Sequence, residues 1–165
     1  MSVAFTKEGD AEAGAADLPD RPISAHPNLV TPEGLAILDA AYLEAKAAYT
    51  AAQALGDVQA DRTAMARATR DLRYYAARRA SAQLIEPPVR FETVQFGATV
   101  SFNREDGRRQ TYRIVGEDEA DPAKGSVSYV SPLARALLGK EVGDEVKIRT
   151  PAGERIYEVL EVSFG

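Results

Sequence analysis

A chain of 165 residues with no cysteine, one histidine and a net charge of −5 is bounded before any motif is read. It can form no disulfide or thiolate metal site, and a single histidine rules out a histidine triad or a multi-histidine metal centre within one chain. The acidic balance argues against a free-standing duplex-DNA binder, whose footprint is basic. No apolar run approaches the ~18 residues of a membrane span. The N-terminus lacks a basic start followed by an apolar core, so a cytoplasmic protein is expected.

Residues 1–28 are rich in Ala, Glu, Asp, Gly and Pro and read as a flexible N-terminal tail. His26 lies in it as a solvated side chain. Residues 29–86 read as a hairpin of two long helices. Thr31 is the expected N-cap, Pro32 suits the first helical position, and Glu33 suits the positive end of the helix dipole. Leu35, Leu38, Tyr42, Ala45, Tyr49 and Ala52 alternate in steps of three and four, the seam of a coiled coil. This arm is expected to run to about Ala54. Gly56 ends it at a tight turn, and Asp57 stands at the tip. Asp61 or Thr63 can cap the returning arm, whose seam is Met65, Ala68, Leu72, Tyr75, Arg79 and Ala82. That arm is expected to end near Leu84, before the boundary Pro87-Pro88. Two seams joined by so short a turn bury each other only as an antiparallel pair.

The arms differ in charge. The first carries Glu33, Asp39 and Glu44 against Lys46. The second carries Arg62, Arg67, Arg70, Arg73, Arg78 and Arg79 against Asp61, Asp71 and Glu86. Cross-arm pairing on a solvated surface, at about 0.5 kcal/mol per exposed pair, explains this. The functional alternative is an arginine face that meets RNA or another polyanion.

Residues 89–165 change to short strands and turns, a small α+β domain. Strands are expected over 99–102 and 110–115 around a turn at Asp106-Gly107, over 127–130, and in a last hairpin of 145–150 and 155–162. Ser131-Pro132 opens a helix by the same cap-and-proline logic as Thr31-Pro32. The acidic loop Glu117, Asp118, Glu119, Asp121 lacks the ligand spacing of a calcium loop and reads as a solvated turn. No phosphate loop, nucleophile elbow or zinc-protease motif is present, so no self-contained active site is expected.

Three blocks carry a resemblance: Val94-Gln95-Phe96-Gly97-Ala98-Thr99-Val100, the stretch from Gln110 through Gly116-Glu117-Asp118-Glu119-Ala120-Asp121, and Ser131-Pro132-Leu133-Ala134-Arg135-Ala136-Leu137-Leu138-Gly139-Lys140. Together they resemble the C-terminal domain of the GreA/GreB bacterial transcription elongation factors, over essentially all of residues 90–163. The resemblance implies a coiled-coil hairpin followed by an FKBP-like α+β domain. It implies bacterial RNA polymerase as partner, with the C-terminal domain docked at the mouth of the secondary channel and the hairpin inside it. Acidic tip residues in such proteins help hold a catalytic Mg²⁺ of the polymerase, which then hydrolyses the extruded 3′ end of a backtracked transcript. Here those residues are Asp57 and Asp61, as catalytic and metal positions, and Ser131 with Pro132 is the expected polymerase contact. The nascent RNA 3′ end is a further partner for the arginine-rich second arm.

The tip departs from the family pattern. The family reads roughly Gly-Asp-Leu-x-Glu-Asn, whereas this chain reads Gly56-Asp57-Val58-Gln59-Ala60-Asp61. Ala60 stands where the glutamate is expected. Each arm is also shorter by about one heptad, roughly 10 Å of reach. Competing readings are a non-cleaving relative that occupies the channel, a nucleoside diphosphate kinase regulator sharing this C-terminal domain, and a prolyl isomerase suggested by the FKBP-like fold alone.

Overall fold

The computed structural model describes residues 18–55 and 62–164; Asp57 and Asp61 lie outside the described residues. The chain divides into two compact units, one holding Ala36–Ser81 with the residues up to Ala25, the other holding His26–Leu35 and Ala82–Gly165.

The first unit is helical. Helix α1 runs Pro32–Ala54, its first residues belonging to the second unit, and α2 runs Arg62–Ser81. The seam of α1 is legible in its burial. Leu38 and Ala45 are buried, Leu35, Tyr42, Tyr49 and Ala52 are half-buried, and most positions between them are exposed. In α2, Ala68 is buried and Met65, Leu72 and Tyr75 are half-buried, as are most of their neighbours, so burial marks this seam less sharply. The expectation fails at the fifth seam position, where Arg79 is exposed and its neighbour Arg78 is only 2% exposed. A straight helix drifts against a strict heptad, so the buried stripe slips by one residue near the end. Burial to this degree takes in the guanidinium as well as the aliphatic stem, so the head must be hydrogen-bonded or paired inside. Arg78 and Arg79 also lie in the last turn of α2, where cations complement the helix dipole.

Helix α2 stops at Ser81 rather than near Leu84. Gln83–Leu84 instead forms strand β2, paired in parallel with strand β1, Leu29–Val30. The Gln83 N–H donates to the Asn28 carbonyl at 2.8 Å and the Ile85 N–H to Val30 at 2.9 Å. Two backbone bonds to a distant segment replace the last helical ones. The local composition, free of Gly and Pro until Pro87, gives no sign of that competition.

The second unit is built on a five-stranded sheet of order β5-β4-β3-β7-β6. Its strands are β3 Ala98–Asn103, β4 Arg109–Val115, β5 Ser126–Ser128, β6 Glu145–Thr150 and β7 Gly153–Phe164. β3 and β4 form the expected antiparallel hairpin, and Gly107 takes the positive φ of 79° that its turn requires. β6 and β7 form the last hairpin, with β7 longer than its sequence pattern suggested. β5 pairs in parallel with β4, and the acidic loop with a 3₁₀ turn, Pro122–Lys124, makes the connection. Helix α3, Pro132–Leu137, buries Ala134 and Leu137 against the core. Val100, Phe102, Ile114, Val146 and Val159 fill that core, and the Phe102 ring stacks on Tyr157 with centroids 5.1 Å apart. Each such fully buried side chain contributes about 1.5–3 kcal/mol. The architecture is α+β, helices followed by a curled sheet.

Candidate functional site

The expected tip site, Asp57 and Asp61, lies outside the described residues, so its geometry carries nothing here. The expected contact pair is described. Ser131 has the extended φ/ψ of an N-cap, −63° and 152°, and its hydroxyl accepts the Ala134 N–H at 3.2 Å. Pro132 follows at the first helical position with its ring exposed. The pair therefore starts α3, and Pro132 presents an apolar edge at the surface.

The acidic loop is structural rather than idle. Thr31 is 1% exposed and its hydroxyl is used in both directions. It accepts the Gly34 N–H at 2.9 Å, capping α1, and donates to Glu119 Oε2 at 2.7 Å. A Cβ at Gly34 would lie 2.7 Å from that same Glu119 oxygen, so a larger residue would push the carboxylate off its present position. Gly116 is tighter still, because a Cβ would stand 2.3 Å from the Leu29 carbonyl oxygen, which is backbone and cannot swing aside. Arg113 reaches Glu33 at 3.2 Å, and the Tyr129 hydroxyl donates to the Pro27 carbonyl. Glu33 is held below the usual carboxylate range, first by its own backbone N–H and then by Arg113. This loop thus grips the start of α1. Among the described residues no group of three His, Cys, Asp or Glu side chains is placed to hold a metal ion.

The arginine arm has partners that the sequence only partly announced. Arg79 bonds Asp39 at 2.6 Å across the two helices, and its guanidinium lies 4.9 Å from the Tyr42 ring centre. Arg73, however, pairs with Asp20 at 3.3 Å, and Asp71 is shared by Arg70 at 3.3 Å and Arg21 at 3.5 Å. The Arg21 guanidinium lies over Tyr74, 3.9 Å from its ring centroid, and 5.1 Å from that of Tyr75. Its pKa is raised, first by a hydrogen bond with Tyr75. Asp20 and Arg21 fall within the stretch that composition assigned to a flexible tail. The one available signal was an Asp-Arg pair set between Pro19 and Pro22, opposite an arm that is both arginine-rich and carries adjacent tyrosines. A stacked cation of this kind is worth about 0.5–2 kcal/mol.

Comparison with known proteins gives the chain its relatives. The family described as transcription elongation factor, GreA/GreB, C-term matches residues 89–164. The chain is 44% identical over 110 residues to the transcription elongation factor GreA of Desulfovibrio desulfuricans, covering 66% of this chain and 67% of that one. It is 41% identical over 111 residues to the transcription elongation factor GreB of Neisseria meningitidis serogroup B, covering 66% and 68%. Among solved structures, GreA factor homolog 1 of Thermus thermophilus is similar at 21% identity with a TM-score of 0.40, over 84% of this chain and 99% of that one. A GreA/GreB factor of Nitrosomonas europaea aligns at 21% identity and a TM-score of 0.41, over 82% and 98%. With a family match across the whole second unit after residue 88, and two relatives above 40% identity over two thirds of their length, the chain belongs to the GreA/GreB family of transcription elongation factors.

Proposed function

We propose that this Gre-type elongation factor binds RNA polymerase and acts through the secondary channel on paused or backtracked complexes. The observation that carries the reading is the family match over residues 89–164, the part of the chain that also holds the sheet core and the Ser131-Pro132 edge. In this reading α1 and α2 form an antiparallel hairpin. Two contacts support it: the β1–β2 pair, which brings the entry to α1 beside the exit from α2, and the Arg79–Asp39 bond between the helices. The second unit then corresponds to an FKBP-like docking domain, with Ser131 and Pro132 on the polymerase surface. No described helix is long and apolar enough to cross a membrane, and the protein works in the cytoplasm beside its polymerase.

The tip supplies oxygen ligands only. Asp57 and Asp61 are hard donors of the kind Mg²⁺ prefers, but two carboxylates do not make a resident site. The fit is therefore to a metal shared with the polymerase active site, which lowers the pKa of a bound water. This chain is no enzyme by itself; it would bring carboxylates to another enzyme's centre. Ala60 in place of the family glutamate favours weak stimulation, or none. In that case the protein occupies the channel and competes with stronger cleavage factors. The α2 arginines would meet the nascent RNA 3′ end. A transcript-cleavage assay on a stalled complex tests the reading. Retention on immobilised polymerase with slow cleavage supports it, and no retention of the full chain refutes it.

A further inference from the structure

We infer that the segment around Asp20-Arg21 is an intramolecular strap that covers an RNA-binding face of α2 and must be displaced before RNA binds. The inference rests on the reading of α2 as an arginine arm that meets RNA, and it adds a regulation to that site. Over Arg62–Ser81 the helix carries six arginines against Asp71 alone. Arg67, Arg70 and Tyr74 stand at steps of three and four, so they share one face, with Arg73 beside them. Cations interleaved with aromatic rings are what a single strand requires, phosphates on the cations and bases on the rings.

Both kinds of subsite are filled by the chain's own N-terminal residues. The Asp20 carboxylate sits 3.3 Å from Arg73, where a phosphate oxygen would sit. The Arg21 guanidinium, a flat π-system, covers the Tyr74 face at 3.9 Å, where a base would stack. An anion on Arg73 and a planar group on Tyr74, supplied by adjacent residues, imitate one nucleotide. The strap is shallow: the Asp20 and Arg73 side chains are 65% and 67% exposed, so water and salt screen the pair. Arg21 is its anchor, with side-chain exposure of 35%. A strap of such modest strength is displaceable by a polyanion that offers several phosphates at once.

The test turns on a sign. Binding of a fluorescent single-stranded oligoribonucleotide is measured for the full chain, for Arg21→Ala and for Asp20→Asn, with helix content checked by circular dichroism. Simple charge counting predicts that Arg21→Ala, which removes a cation, binds RNA more weakly. The strap predicts the reverse, an affinity about tenfold higher, because the fraction of open arm rises. Asp20→Asn should show a smaller gain in the same direction. Inorganic polyphosphate, which has no base for the Tyr74 face, should gain less than RNA from Arg21→Ala. Unchanged or weaker RNA binding by Arg21→Ala overturns the strap. Adding Arg67→Glu to the Arg21→Ala protein reads the arm separately. If that change abolishes binding while Arg21→Ala alone gave no gain, the arm reading survives and the strap does not. RNA that binds no variant refutes both. A gain confined to RNA polymerase would make the covered partner a protein and would also refute the proposal.

Discussion

Replacing Thr31 by valine tests the joint at the start of α1. Valine has nearly the shape of threonine, so the change removes a hydroxyl and little else. Two bonds go with it, the cap on the Gly34 N–H at 2.9 Å and the donation to Glu119 at 2.7 Å. An N-cap is worth about 1 kcal/mol. A hydrogen bond to a charged group is worth about 1.5–3 kcal/mol, and more is lost when a partly buried carboxylate keeps no substitute. The sum is a destabilisation of about 2–4 kcal/mol, or roughly 5–15 °C in melting temperature for a chain of this size. Urea unfolding followed by circular dichroism measures it. Thr31→Ser keeps the hydroxyl and should cost less than about 1 kcal/mol. A double-mutant cycle with Glu119→Gln should return a coupling of about 1–2 kcal/mol. A loss below about 0.5 kcal/mol for Thr31→Val, or equal losses for valine and serine, would falsify the account.

Gly116→Ala should destabilise by about 2–4 kcal/mol and release β1, read as faster amide exchange at Val30, because its Cβ meets a backbone carbonyl at 2.3 Å. Leu38→Ala, at a site 1% exposed, should cost about 2–4 kcal/mol. Arg79→Ala should cost about 1 kcal/mol or less, and equal losses from these two changes would contradict a hairpin held by its seam. Glu33 has a folded pKa below its unfolded value, so its contribution is present above the ordinary glutamate range and is lost as pH falls through the lowered folded value. Glu33→Gln should accordingly flatten the acid side of the stability–pH curve by removing a small contribution at neutral pH, while leaving stability below the lowered folded value nearly unchanged. Asp57→Asn should abolish whatever transcript cleavage the protein stimulates while leaving polymerase retention intact; unaltered cleavage would remove Asp57 from the mechanism.

Local signals were enough for the elements. Thr31-Pro32 and Ser131-Pro132 announce helix starts by a mechanism internal to four residues, and both caps stand as expected. Asp106-Gly107 announces its hairpin in the same way. What stayed hidden depends on partners far away in sequence. The parallel pair of Leu29–Val30 with Gln83–Leu84 joins segments more than fifty residues apart, and neither has a strand pattern of its own. Arg78 is buried where the heptad placed Arg79, since a drift of a fraction of a turn accumulates over five turns. Arg21 was hidden because composition measures whether a segment can form a core, and this one needs only two tyrosines and an aspartate on a neighbouring helix.

The acidic residues of this chain show why composition alone could not find its chemistry. The densest cluster, Glu117 to Asp121, looks the more plausible cation site by number of carboxylates. Glu119 instead accepts a hydrogen bond from the Thr31 hydroxyl at 2.7 Å. A carboxylate committed to a partly buried hydrogen bond is held away from water and has lost coordination capacity. Asp20 and Asp39 pair with Arg73 and Arg79 at exposed sites, where water screens both pairs. In the family reading the carboxylates that serve the polymerase belong to the turn between the two arms, with Asp57 as the first acidic residue there. Where tip chemistry is the only defect, Ala60→Glu should raise transcript cleavage on a stalled complex, whereas adding carboxylates to the 116–121 loop should change stability and leave cleavage as it was; no gain from Ala60→Glu would make the shortened arms the cause.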